Sequence, residues 1–532
     1  MGFIALQRAK LHYVFENMFH VVERLVSEKE AKMNKIFKVI WSKSKQCYVV
    51  VSEMAKNTTG KKKIVVASIL AAMIAGQAMQ VEAAAGKITG STGTGSLAIS
   101  GAGGNYATAS TDDAIAVGQD ASATGRGGIA VGRKSNAVHN ALSIGWIASA
   151  TTKGAIAIGS ALEEPGVSGQ KEVVSDGFYS IAIGGASKSS GTTSVALGVK
   201  SSASEDSAIA IGSSSISDKT SAIALGRNTN ANGENSSAIG AYSTAGDTDA
   251  TALGRNANAT AAQSTALGTY SVASGQYGTG VGFQANASGV NSTAVGVSAK
   301  ANKDGASAMG PGARAYGNGA ISLGYQALSG ANIFNSAGNG SFNDASPDVT
   351  SYAKWGDSAI GLRAIASGGN ATALGRSATA TAANAIAIGG GNGDSATDNT
   401  EKTEATGEKS TAIGYNAKAK TANDLAVGRG ATSSGGSSTA LGYDATSSGE
   451  GSVAIGAGTD ALGAMPAKQV KATAKNAIAI GRATQATSQD ATAIGTDATA
   501  SNTDAIAIGR KSNASGSTSI GFGYNTKSTA TN

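Results

Sequence analysis

The sequence predicts an all-β chain folded as a parallel β-roll, a β-solenoid of 14-residue repeats. Two observations carry this prediction. A phrase of alternating small and large aliphatic residues closed by glycine returns along the chain, as in Ala114-Ile115-Ala116-Val117-Gly118, Ala208-Ile209-Ala210-Ile211-Gly212 and Ala505-Ile506-Ala507-Ile508-Gly509. The composition suits a thin coil, with 74 glycines in 532 residues, 5% aromatics, 4 prolines and 1 cysteine. Hydrophobic residues at 41% and charged residues at 14% argue against disorder, and glycine without a three-residue period excludes collagen.

Each element of the repeat has its own signal. From Gly118 to Gly521 there are 26 such glycines, and nineteen of the 25 intervals between them are 14 residues. The residue before each glycine is aliphatic or Met, and the one before that is Ala, Ser or Gly, which is the period of a strand with two different faces. A weaker glycine often falls seven residues on, as at Gly233, Gly275 and Gly289, so each half-repeat holds a short strand and a tight turn. Alanines fill the positions between, for example Ala257 and Ala259 or Ala285 and Ala287. This reading places the large aliphatics of one strand inward against the alanines of the other, leaving the Ala/Ser/Gly face uncovered and open to association with identical copies. At the strand spacing of about 4.8 Å, 26 coils make a rod of roughly 120 Å.

The net charge of +7 belongs to the first 85 residues, which hold 13 Lys and Arg against 6 Asp and Glu. The remainder carries 29 of each sign, so the basic balance gives no support to a nucleic-acid partner. Lys61, Lys62 and Lys63 precede an apolar run from Ile64 to Met79, followed by the small residues of Ala83-Ala84-Ala85, the pattern of a secretory signal peptide. A run of that length, rich in Ala, is short for a bilayer span. Beyond it the chain has no cysteine and only His139, which excludes disulfide frameworks, thiolate metal sites and a Cys nucleophile. No cofactor is expected, since Walker-type, dinucleotide-binding and zinc spacings are absent.

Ahead of the basic region, Met33-Asn34-Lys35-Ile36, Val39-Ile40-Trp41 and Val51-Ser52-Glu53-Met54-Ala55-Lys56 resemble the extended signal peptide of large Gram-negative autotransporters. Residues 33–85 are read as that leader, residues 1–32 as an upstream start taken too early, and 86–532 as the repeat body. Lys29-Glu30-Ala31 fits a start at Met33, since those residues can be encoded by a purine-rich ribosome-binding sequence.

The 14-residue pattern itself resembles the YadA-like head of trimeric autotransporter adhesins, over nearly all of residues 96–521. The resemblance implies a left-handed roll, a homotrimer, display at the outer membrane, and attachment to host extracellular-matrix proteins, host-cell receptors or like cells by autoaggregation. The family continues into a coiled-coil stalk and a four-stranded membrane anchor. Here Ser519-Ile520-Gly521 is still repeat-like and neither heptads nor barrel strands follow, so a fragment or a broken gene is expected.

Four intervals are longer than one repeat, placing insertions near 160–178, 325–355, 390–408 and 457–475. Insertions project from a solenoid, where binding loops are commonly placed. The longest holds Phe334, Phe342, Tyr352 and Trp355, and is the candidate contact site. Arginines follow the repeat glycine at Arg133, Arg227, Arg255, Arg376, Arg429, Arg482 and Arg510; stacked along one edge, they could meet an acidic ligand such as a sulfated glycan. His139 reads as a turn residue, and Gly390-Gly391-Asn392-Gly393-Asp394 has the wrong spacing for a calcium-binding nonapeptide.

Two alternatives concern a single-chain solenoid with another role. A polysaccharide lyase needs stacked carboxylates in register, whereas the acidic residues are scattered through turns, so no enzyme is expected. An ice- or lattice-binding surface needs an outward threonine ladder. Thr251, Thr265, Thr293, Thr372 and Thr411 align three residues before the glycine, but Ile115, Ile209 and Ile386 share that position, which reads as an inward core site.

Overall fold

The computed structural model describes residues 37–42, 47–52, 82–83, 86–89, 92–101, 106–162, 171–330, 356–391, 401–458 and 468–530. The chain divides into two compact units, Met1–Gln80 and Val81–Asn532. In the first, strands Phe37–Ser42 and Cys47–Ser52 pair antiparallel; the apolar run of the signal peptide lies outside the described residues.

The second unit is a parallel β-solenoid of about 27 turns, with no helix among the described residues. Each coil contributes one three-residue strand and, in nearly every coil, one two-residue strand, such as Ile209–Ile211 and Ile216–Ser217. Like strands stack in register on the next coil: Ile209 pairs with Ile223, Ala210 with Ala224 and Ile211 with Leu225. A parallel ladder at a constant period leaves each backbone N–H and C=O a partner one coil away, which is why so small a core can hold the chain. At the N-terminal end, Gly86–Thr89 lies antiparallel on Leu97–Gly101, which then pairs parallel with Ile115–Val117. That hairpin covers a ladder edge that would otherwise be open.

Tight turns close both edges of the coil. After the strands of the ladder that contains Ile209–Ile211, the repeat glycine takes a left-handed φ, as at Gly268 (φ 132), where an added Cβ would stand 2.5 Å from the carbonyl oxygen of Gly282 in the next coil. Glycine is demanded twice at this position, by backbone angle and by the approach of the neighbouring coil. The C-terminal coil corrects the sequence register: the strand is Ile520–Phe522, Gly521 pairs with Ala507, and the left-handed glycine is Gly523 (φ 117). Phe522 occupies the aliphatic position, and the spacing from Gly509 becomes a full repeat.

The core also corrects the expected direction of the faces. The small residues point inward: Ala116, Ala130, Ala210, Ala224, Ala252 and Ala266 are all 0% exposed. The large aliphatics flank them on the outside, half-buried or exposed, with Leu253 at 41% and Leu267 at 40%. The reason is circumference. Three strand residues and a tight turn on each side leave two sheets too close for facing leucines, and only alanine, serine and glycine fit between them. Several core serines pair their hydroxyls, as in Ser189–Ser194 and Ser447–Ser452, each 2.6 Å between oxygens, while the buried Ser292 hydroxyl has no partner among the described residues.

The five aligned threonines are therefore outward as well, Thr251 exposed and Thr265, Thr293, Thr372 and Thr411 half-buried. The inward placement that counted against a lattice-binding surface is overturned. What separates this face from a polar ladder is the second outward row, Leu253, Leu267 and Val295, two residues along the same strands.

Candidate functional site

The coil has four surfaces, and each follows from a fixed position in the repeat. The outer face of the three-residue strands is an aliphatic band in which Leu225, Leu253, Leu267, Val295 and Leu323 are exposed on successive or nearby coils. A contiguous apolar row of this length marks an interaction surface. The outer face of the two-residue strands is polar, with Asn230, Thr244, Asn258, Asn286 and Lys300 at its stacked positions.

The two edges are built from the turns. The first follows the repeat glycine and carries the arginines singled out in the sequence. Arg227 lies over the ring of Tyr242 at 4.8 Å and Arg255 over Tyr270 at 4.9 Å. Tyr242 and Tyr270 are themselves exposed on this edge, one coil beyond each arginine. Farther along, Arg429 lies over Tyr415 and Tyr443 at 5.8 Å and 5.5 Å, and Arg510 over Tyr524 at 5.7 Å. The guanidinium planes are thus held by cation–π stacking between coils. These tyrosines and the stacking were missed in the sequence, although a search for aromatics one repeat after each arginine finds Tyr242, Tyr270, Tyr443 and Tyr524. Arg376 follows Gly375 on the same edge.

The second edge is lined by the turns that close the two-residue strands. Several carboxylates cap neighbouring turns there: Asp206 Oδ1 accepts the Thr192 N–H at 2.7 Å, and Asp304 Oδ1 accepts the Val290 N–H at 2.9 Å. Two further carboxylates are buried. Asp357 Oδ1 accepts the N–H groups of Gly369 and Ala371, both at 2.8 Å. Asp424 accepts the Thr421 N–H at 2.8 Å through one oxygen and, through the other, the N–H groups of Gly436 and Ser438 at 3.0 Å and the Ser438 hydroxyl at 2.9 Å. Both aspartates organise the turn of the following coil.

Ladder register shows which edge each insertion leaves from. Strand Ile156–Ile158 pairs with Ile181–Ile183, while Ala148–Ala150 pairs with Val173–Ser175, so the first insertion departs from the arginine edge. The insertions after Gly389 and Gly456 leave from that edge too, since the two-residue strands resume at Glu404 and Lys471. The longest departs after Leu328–Ser329, from the opposite edge. Phe334, Phe342, Tyr352 and Trp355 lie outside the described residues, as do three of the residues of the glycine-rich segment 390–394. His139 stands in a turn, where its carbonyl accepts the Gly154 N–H at 3.1 Å. Among the described residues no three His, Cys, Asp or Glu side chains are grouped to hold a metal ion.

These features define a long repeat solenoid with one apolar face and two differently charged edges. The YadA head domain repeat matches the chain in stretches running from residues 91–121 to 486–512, over well more than half its length, and the Extended Signal Peptide of Type V secretion system matches residues 33–80. No curated protein matches the chain. The chain belongs to the YadA-like trimeric autotransporter adhesins. It is exported and displayed on the surface of a Gram-negative bacterium. Its family implies a homotrimer and adhesive binding in general, and is typically non-enzymatic.

Proposed function

We propose that the chain forms the head of a homotrimeric adhesin that attaches the bacterium to host matrix proteins or host cells, or to like cells by autoaggregation. The observation that carries this reading is the outward aliphatic band, which repeats on coil after coil and leaves leucines about two-fifths exposed, as at Leu253 (41%) and Leu323 (44%). A rod carrying such a band in isolation would expose apolar surface along its length; three copies facing a common axis cover it equally. The small-residue face expected from the sequence to make this contact is already consumed by the core, so the interface moves to the aliphatic face.

Three parallel heads present every surface feature in triplicate, so weak contacts suffice for strong attachment. The segment between Gly330 and Gly356, with Phe334, Phe342, Tyr352 and Trp355, is proposed as a local contact site. Deleting residues 333–355 restores a single-repeat interval between Gly324 and Gly361. Bacteria displaying the whole chain are expected to adhere to matrix-coated or cell-coated surfaces or to settle by autoaggregation, and those displaying the deletion to lose part of that binding. Adhesion unchanged by the deletion would remove the contact site, and a displayed chain that neither adheres nor aggregates would overturn the adhesin reading.

A further inference from the structure

The two edges of the roll are complementary in charge over one stretch and alike in apolar character over another. Between Gly184 and Gly324 no insertion interrupts either edge. On the first edge, the two residues after each repeat glycine in this stretch include the cations Lys200, Arg227 and Arg255 and no carboxylate. On the second edge, the turn residues include six carboxylates, Glu205, Asp206, Glu234, Asp247, Asp249 and Asp304, against the two lysines Lys219 and Lys303. One edge is basic and the other acidic.

The match extends to height along the rod. The coil path puts Lys200 just before the turn holding Glu205 and Asp206, Arg227 just before the turn holding Glu234, and Arg255 just after the turn holding Asp247 and Asp249. Where the first edge turns aromatic, at Tyr270 and Phe283 (40% and 46% exposed), the second edge at the same levels shows Tyr277 and Val290 (50% and 38% exposed). Tyr270 and Phe283 meet edge to face at 6.2 Å, forming one apolar patch. Arg227 and Arg255 stack on tyrosines and make no ion pair with their own chain among the described residues.

We infer that the first edge of one chain docks against the second edge of the next copy, forming a seam at each corner of the trimer. Three flat rolls whose aliphatic sheets face one axis make a triangular prism, and at each corner one edge of one roll meets the opposite edge of its neighbour. Cyclic symmetry allows no shift along the axis, so each coil meets the same coil of the next chain. Each first-edge turn then lies midway between the two second-edge turns that precede and follow it in the chain, which puts Arg227 beside the following turn with Glu234, Arg255 beside the preceding turn with Asp247 and Asp249, and Tyr270 beside the following turn with Tyr277. The acidic ligand expected for these arginines is then a second copy of this chain. The seam orients the copies by setting a basic edge against an acidic one, and it disfavours a two-coil slip, which would set the apolar patch beside Asp304 in one direction and beside Glu234, Asp247 and Asp249 in the other.

The inference rests on the trimeric reading, and the experiment separates the two. The exported chain, freed of its signal peptide, has no cysteine, so engineered pairs report cleanly. Tyr270→Cys and Tyr277→Cys are made singly and together, and each protein is oxidised and run under non-reducing denaturing conditions beside a native mass measurement. The seam predicts no covalent product from either single variant and linked dimers and trimers from the double variant. A native trimer that yields no cross-link in the double variant would overturn the seam and leave the trimer standing; a native monomer would remove the trimeric reading itself.

Charge reversal supplies the second arm. Arg227→Glu with Arg255→Glu is expected to weaken assembly at least tenfold at low salt, with less effect at high salt. Adding Glu234→Arg, Asp247→Arg and Asp249→Arg to the same chain restores it. Failure of that restoration in a folded chain, or loss of retention on sulfated-polysaccharide beads with assembly unchanged, would mean that the basic edge is open to ligand and not a seam.

Discussion

The direction of the two strand faces can be tested by paired substitutions one residue apart. Ala252 is 0% exposed, inside the two-layer core, while Leu253 is 41% exposed on the outer band. Replacing Ala252 with Leu forces three more carbon atoms into a space sized for alanine, with an expected cost of about 3 kcal/mol or more. Leu253→Ala costs a single chain less, about 1 kcal/mol for the three-fifths of the side chain already buried there, and also removes the exposed part that is buried only on assembly. Full burial of a leucine is worth about 1.5–3 kcal/mol, so covering its last two-fifths contributes about 1 kcal/mol per chain and about 3 kcal/mol per trimer. That corresponds to roughly a hundredfold change in the assembly constant. The assay is thermal unfolding by circular dichroism, together with native mass across a dilution series. The expected pattern is a strongly lowered melting temperature for Ala252→Leu, and a folded, only slightly destabilised monomer with earlier dissociation for Leu253→Ala. If Ala252→Leu is neutral while Leu253→Ala unfolds the chain, the faces are the other way round and the reasoning fails.

Three further outcomes follow from the same geometry. Gly268→Ala places a Cβ against the Gly282 carbonyl at a φ of 132, so it is expected to cost about 3 kcal/mol and to open a protease-sensitive site near that coil. Intact resistance at residues 260–290 in limited proteolysis would count against it. Asp424→Ala removes the acceptor of the Gly436 and Ser438 N–H groups and is expected to destabilise the roll by about 2 kcal/mol or more, with Asp424→Asn in between; equal melting temperatures for all three proteins would show that water replaces the carboxylate. Arg255→Ala removes the stack on Tyr270 and should leave monomer stability within about 1 kcal/mol while weakening assembly, because an exposed cation–π pair contributes little within one chain.

Much of the fold was legible because each coil repeats the same local instruction. The Ala-Ile-Ala-Ile-Gly phrase specifies a strand by alternation and a turn by glycine, and the structure places strands at Ile209–Ile211 and Ile506–Ile508 where that phrase stands. What alternation cannot give is which face is inside. Period two defines two faces, and the choice depends on the width of the closed coil, a property of the whole turn and not of any one strand. The last repeat was misread because Phe522 stands where other copies have an aliphatic residue or Met, which made Ile520-Gly521 look like the junction. The edges were legible only in part. Arginine after glycine is visible in the sequence, but its stack on Tyr242 or Tyr270 joins residues of adjacent coils, and the matching of opposite edges emerges only when coil height is known. Asp357 and Asp424 escaped notice because in most copies Ala or Ser fills their position, and only burial reveals their hydrogen bonds.

The central claim is that the outward aliphatic band is an interface between three copies of the chain. Sedimentation equilibrium of the exported chain without its signal peptide, from low to high concentration, tests it most directly. The account predicts a folded β-structured species of three chain masses, dissociating only on strong dilution. A folded single chain at every concentration would contradict it.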